Sequence, residues 1–142
     1  MNTDIRLEDF PLHCVEKLRF RDTDSQGHVN NAVFVTLLEV GRVEMLFDPK
    51  YQLVTENSAF VLAHLSMDYL AEMTWPGEVT IGTCVVNTGR SSLTLAQGLF
   101  QNGKCVATAK TVMVLIDIVE RRPKAISDAA IAQLAQLTSI AN

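Results

Sequence analysis

No apolar run in this chain exceeds five residues, against the ~20 that a membrane-spanning helix needs. The opening Met1-Asn2-Thr3-Asp4-Ile5-Arg6 has no apolar stretch of the secretory kind, so a cytoplasmic location is expected. Cysteine is scarce. Cys14, Cys84 and Cys105 are odd in number, widely spaced and never arranged as Cys-x-x-Cys. Neither a disulfide framework nor a cysteine-ligated zinc site is expected, and the three thiols read as small buried hydrophobes in a reducing compartment. Histidine is also sparse, and no His/Glu pair stands at i, i+4, so no metal site is expected. The seven glycines are scattered, with no phosphate-cradling loop and no cofactor implied. Lys and Arg total 12 against 16 Asp and Glu, a net charge of −4, which lacks the basic field a general nucleic-acid binder needs.

What is present is globular. Residues 1–142 are read as one domain, with 48% hydrophobic and 20% charged residues, enough to bury a core. A polar lead-in ends at Pro11. Residues 12–21 read as a first strand, and residues 22–30 are dense in turn formers. Residues 31–47 carry Val33, Phe34, Leu37, Leu38, Gly41, Met45 and Leu46 at helical spacing, with Thr36, Glu39 and Arg42 as a narrow polar stripe. Asn30 or Asn31 can cap this helix. A mostly apolar circumference predicts that it is largely buried.

The period then changes. Residues 59–72 alternate, with Val61, Ala63, Leu65, Met67 and Tyr69 on one face and Leu62, His64, Ser66 and Asp68 on the other. Residues 78–87, 91–101 and 104–118 continue as strands, separated by turns that include Asn102-Gly103, a strong hairpin signal. Short turns imply antiparallel neighbours, so these four strands are expected to form a meander. Ser127 is placed to cap a short helix over 127–137. The expected class is α+β, an antiparallel sheet wrapped around the one long helix. Both faces of 59–72 carry apolar residues, so an oligomer is expected.

The segment Asp22-Thr23-Asp24-Ser25-Gln26-Gly27-His28-Val29-Asn30-Asn31 concentrates the chain's reactive groups. It lies just before a helix N-terminus, where unpaired amides and a partial positive charge can hold an oxyanion. A carboxylate there can attack a carbonyl or deprotonate a water, which suits acyl transfer and in particular a thioester, whose leaving thiolate needs little acid assistance. The same residues can also serve only as loop and cap groups.

This segment resembles the Asp-x-Asp-x-x-Gly-His-Val-Asn-Asn signature of hotdog-fold acyl thioesterases, the 4-hydroxybenzoyl-CoA thioesterase-like superfamily. The likeness runs through Glu39 and Ala63-His64-Leu65-Ser66-Met67-Asp68-Tyr69-Leu70, over about residues 12–120. It implies the hotdog fold, an acyl-CoA substrate, no cofactor, and a homodimer or homotetramer with active sites at the subunit interface. By the same resemblance Asp24 is the nucleophile or general base. The Asn31 backbone amide polarises the thioester carbonyl, and His28 is a catalytic partner. Gln26 and Gly27 line the substrate site, Gln26 standing where plant acyl-carrier-protein thioesterases carry an asparagine. Arg90-Ser91-Ser92 stand where related enzymes hold the CoA phosphates, which suits the planar donor fork of arginine. His-Val-Asn-Asn points to a fatty-acyl rather than an aroyl substrate. Asp22 is expected to be structural. A hydratase or dehydratase acting on acyl thioesters, a non-catalytic acyl-CoA-binding module and a carrier-protein thioesterase are the rivals. Glu39 is expected as a buried acid paired with a cation, His64 as a core histidine, and Ser66 and Asp68 as either pocket or polar-face residues. Arg121-Arg122-Pro123-Lys124 is a second basic cluster, either a weaker phosphate candidate or a solvated strand end.

Overall fold

The computed structural model describes residues 5–140. Met1–Asp4 and the last two residues lie outside this range, and with them most of the opening segment read above. Strand β1 (Leu12–Lys17) leads through a 3₁₀ turn (Phe20–Asp22) into helix α1 (Asn31–Leu46). Four long strands follow: β2 (Ser58–Tyr69), β3 (Glu78–Thr88), β4 (Ser92–Gln101) and β5 (Lys104–Asp117). The two-residue β6 (Arg122–Pro123), helix α2 (Asp128–Leu134) and a 3₁₀ turn (Ala135–Leu137) follow. The first strand is thus shorter than 12–21, because the chain turns at Arg19–Asp22 to begin the motif loop.

Every named strand pair is antiparallel, and the order is β1-β3-β4-β5-β2, with β6 on β5. The expected four-strand meander is corrected. β3, β4 and β5 do form one, closed by Asn102 and Gly103 with both φ positive. β2, however, pairs with β5 rather than with β3. The connection over 70–77 is too long for a tight hairpin. It crosses the sheet end instead, which frees β2 to extend the sheet on the other side of α1.

The face assignment in β2 is corrected as well. A bulge at Ala63 shifts the register between Leu62 and His64. One extra residue flips every later side chain to the opposite face. Leu62 therefore shares a face with Leu65, Met67 and Tyr69, opposite Met113, Thr111, Ala109 and Ala107, while Val61 joins His64, Ser66 and Asp68 on the outer face. His64 is exposed and is not a core histidine.

Helix α1 is capped by the Asn30 side chain, which accepts the Ala32 amide at 2.8 Å. It buries Phe34, Leu37, Leu38, Gly41, Arg42, Met45 and Leu46 in the sheet's concave face. The polar stripe divides differently from the expectation. Glu39 is exposed, and Arg42, which faces β4, is the buried charged residue. Arg42 Nη1 reaches Gln97 Oε1 at 3.4 Å, and Gln97 Nε2 donates to the Leu38 carbonyl and to Thr83 Oγ1. Burial lowers the Arg42 pKa, and nearby Glu39 opposes that. This polar layer lies between two apolar clusters, one around Leu38, Ile81 and Leu99, the other around Met45, Leu93 and Leu134. Ser127 caps α2 as expected, its hydroxyl accepting the Ala130 amide.

Candidate active site

The motif loop is a compact structure built on Asp22 and Asp24. Asp22 is buried and accepts the Arg19 amide at 2.8 Å and Arg19 Nη2 at 3.1 Å. Burial pushes its pKa up, but the Arg19 hydrogen bonds and the charges of Arg19 and Arg21 outweigh burial and hold the carboxyl below its ordinary value. The Asp22 carbonyl accepts the Asn30 amide at 2.8 Å, so this residue ties the entry of the loop to the start of α1.

The depressed folded pKa means that Asp22 stabilises the fold fully above the unfolded carboxylate range, about pH 4. That contribution is lost as pH falls through the lower folded value. Asp22→Ala should cost about 2 kcal/mol at neutral pH, the scale of hydrogen bonds to a charged group. Chemical denaturation at pH 7 and at successively lower pH should show the gap between variant and wild type closing below about pH 4.

Asp24 occupies the tip. Its Oδ1 accepts the amides of Gln26 at 2.8 Å and His28 at 3.2 Å, and its own amide donates to the His28 carbonyl at 2.8 Å. Its Oδ2 accepts no bond among the described residues. The loop role weighed from sequence is therefore real, and it leaves one carboxylate oxygen uncommitted. Gly27 makes the turn with φ +81°.

The crossover 70–77 braces this loop. The Met73 carbonyl accepts the Val29 amide at 2.8 Å, Thr74 bridges His28, and the Gly27 carbonyl accepts the Trp75 amide. Asn31 is the first residue of α1, where an amide has no intrahelical acceptor.

An open cavity of about 420 Å³ lies here, lined by Asp24, Gln26, His28 and Asn31 and walled by Val29, Phe34, Tyr69, Leu70, Ala71 and Glu72. Four predicted site residues thus meet at one cavity, and Gly27 sits in the same turn. His28 Nε2 lies 3.2 Å from Glu72 Oε2. Tyr69, Phe34 and Glu72 are given no site role by the sequence. Tyr69 stands there only in an alternating stretch and in the family likeness, Phe34 only in the helix pattern, and Glu72 carries no signal.

Arg90, Ser91 and Ser92 lie elsewhere. Ser92 pairs with Val114, whereas Tyr69 at the cavity pairs with Ala107. Along β5 that separation is about 24 Å at ~3.4 Å per residue. Ser66 and Asp68 face outward opposite Lys110 and Thr108, away from this cavity. Arg122 is exposed and paired with Glu120. Cys14, Glu16 and Glu44 cluster between β1 and α1. Glu44 stands about 20 Å along the helix from Asn31, at 1.5 Å per residue. Burial, then the Glu44 charge and hydrogen bond, then Glu16 push the Cys14 thiol up to about 11, so it is no nucleophile at neutral pH.

A family profile described as the thioesterase-like superfamily matches residues 18–134. The chain belongs to that superfamily. It is a thioester hydrolase by family, and its curled antiparallel sheet around α1 is the hotdog architecture that the motif resemblance implied. The acyl-CoA thioester hydrolase YbgC of Escherichia coli O6:H1 is 25% identical over 124 residues, covering 84% of this chain and 92% of that protein. The PA5185 protein of Pseudomonas aeruginosa superposes with a TM-score of 0.87 at 26% identity, covering 96% and 98% of the two chains. A Thermus thermophilus thioesterase, solved with coenzyme A and zinc, superposes with a TM-score of 0.77 at 32% identity, covering 92% and 96%.

Proposed function

We propose that this thioesterase hydrolyses acyl-CoA, with a preference for fatty-acyl groups, to the free acid and CoA. The observation that carries the reading is the cavity lined by both Asp24 and Asn31, the first residue of α1. With one oxygen anchored by two amides, the Asp24 carboxylate is held in a fixed orientation. It attacks the thioester carbonyl carbon and expels the thiolate, leaving an anhydride for water to open, or it takes a proton from the water that attacks. The Asn31 amide and the helix dipole stabilise the oxyanion. His28, whose Nε2 lies beside Glu72, is the catalytic partner in this reading. Val29, Phe34, Leu70 and Ala71 give the cavity an apolar wall suited to an alkyl chain.

In this reading the active form is a homo-oligomer. β2 is a 12-residue edge strand, and such an edge invites pairing with another chain. Val61, Leu62 and Tyr69 are exposed along it. Antiparallel pairing of two β2 edges sets the Ser58 end of one copy beside the Tyr69 end of the other. That moves the second copy's Arg90–Ser92 turn toward the first copy's cavity, within reach of a CoA nucleotide. Arg90→Ala should then raise KM for acyl-CoA about tenfold, the scale of one charge-assisted hydrogen bond. Hydrolysis of a thioester lacking the nucleotide, such as an N-acetylcysteamine ester, should be unchanged.

Product analysis tests the reaction class. Chromatography after incubation with saturated and trans-2-enoyl-CoA should show free acid and CoA. A 3-hydroxyacyl-CoA product would place the chain among the hydratases, and saturable binding without turnover would make it a binding module.

A further inference from the structure

One residue of the cavity wall belongs both to the apolar side and to the helix end. Tyr69 closes β2 on its concave face. Its ring centroid lies 5.0 Å from that of Phe34, itself only 2% exposed and therefore a fixed partner. Its hydroxyl donates to the Asn31 carbonyl at 2.8 Å, in the turn that carries the proposed oxyanion amide. The ring is thus held at its face and at its tip, and it borders the cavity. Turning it away from the cavity requires breaking both contacts.

We infer that Tyr69 is a specificity-determining and positioning residue: its ring is an end wall that limits acyl length, and its hydroxyl holds the first turn of α1 in place beneath the thioester carbonyl. This rests on the acyl-thioester reading above. The two roles separate chemically. Tyr69→Phe keeps the ring and its Phe34 contact and removes only the hydroxyl. Tyr69→Ala removes the wall as well. Small displacements of groups that contact a reacting centre cost rate even when substrate binding is intact.

The experiment measures kcat and KM for straight-chain acyl-CoAs from acetyl to palmitoyl, using wild type, Tyr69→Phe, Tyr69→Ala and Asp24→Asn. Tyr69→Phe should lower kcat about 3- to 10-fold, the scale of one hydrogen bond, with KM and the preferred chain length unchanged. Tyr69→Ala should move the preference to longer chains. A merely structural tyrosine would leave the kcat of folded Tyr69→Phe unchanged and would make the losses in Tyr69→Ala uniform across the panel. Thermal melts check folding, and Tyr69→Leu, which retains apolar packing, takes the place of an unfolded alanine variant. An unmoved preference in the folded small-residue variant overturns the wall, and an unchanged kcat in Tyr69→Phe overturns the positioning role. Wild type that releases no CoA from any member overturns the parent reading and this one together. Loss in Asp24→Asn with no effect at Tyr69 overturns this one alone.

Discussion

Asp24→Asn should lose at least about 10³-fold in kcat while melting within a few degrees of wild type. The two readouts separate because Asp24 has two roles that use different atoms. The Oδ1 that accepts the Gln26 and His28 amides becomes the amide oxygen of asparagine, which accepts the same two bonds. The loop keeps its shape, and with it the brace between Gly27 and Trp75. What disappears is the negative charge, and with it both the nucleophile and the base. Asp24→Ala is the contrasting variant. It removes the anchor too, so it should lose activity and also loosen the loop, seen as faster amide exchange at Gln26 and His28. If Asp24 were only a loop residue, asparagine would be nearly silent and alanine would carry the whole effect.

The largest stability effect is expected at Gly41. A Cβ built there would lie 2.6 Å from Ile81 Cγ2, 2.9 Å from Gln97 Nε2 and 3.2 Å from Thr83 Oγ1. Ile81 and Thr83 are buried sheet residues without space to retreat, and Gln97 is committed to Leu38 and Thr83. Glycine is normally about 1 kcal/mol worse than alanine in a helix, so alanine recovers part of its steric cost. Valine adds two methyl groups to a site that rejects one. Gly41→Val should cost about 3 kcal/mol or more, lowering the melting temperature by about 10 °C. Because α1 must lift from β3 and β4, its N-terminus should shift relative to Asp24. Activity should therefore fall even well below the melting temperature. Calorimetry with a parallel activity assay checks both effects.

The features legible in the sequence are those with short-range causes. Asn30 and Ser127 are recognisable caps because a side-chain oxygen satisfies an amide two or three residues away. Asn102-Gly103 announces its hairpin because both positions require positive φ. The motif loop is legible for the same reason, since the Asp22 and Asp24 side chains bond to groups within four residues of themselves.

What was not legible depends on distant partners. The β2–β5 pairing joins segments some fifty positions apart, and nothing near residues 58–69 encodes it. The Ala63 bulge has no sequence signature, yet it decides which half of the strand faces the helix. Glu39 and Arg42 are one turn apart on a helix that is apolar nearly all round, so periodicity cannot rank their burial. Gln97, which receives Arg42, lies on β4. Tyr69 joins the site only because the sheet curls its strand end back over the start of α1.

The most direct measurement is the rate of thiol release from a panel of acyl-CoAs, acetyl through palmitoyl plus benzoyl and 4-hydroxybenzoyl, by wild type beside Asp24→Asn. Wild type should turn over straight-chain acyl-CoAs and work more weakly on the aroyl esters, and the variant should stay at background throughout. Wild-type rates at background for every member, or an asparagine variant as fast as wild type, would rule out Asp24-dependent acyl-CoA hydrolysis.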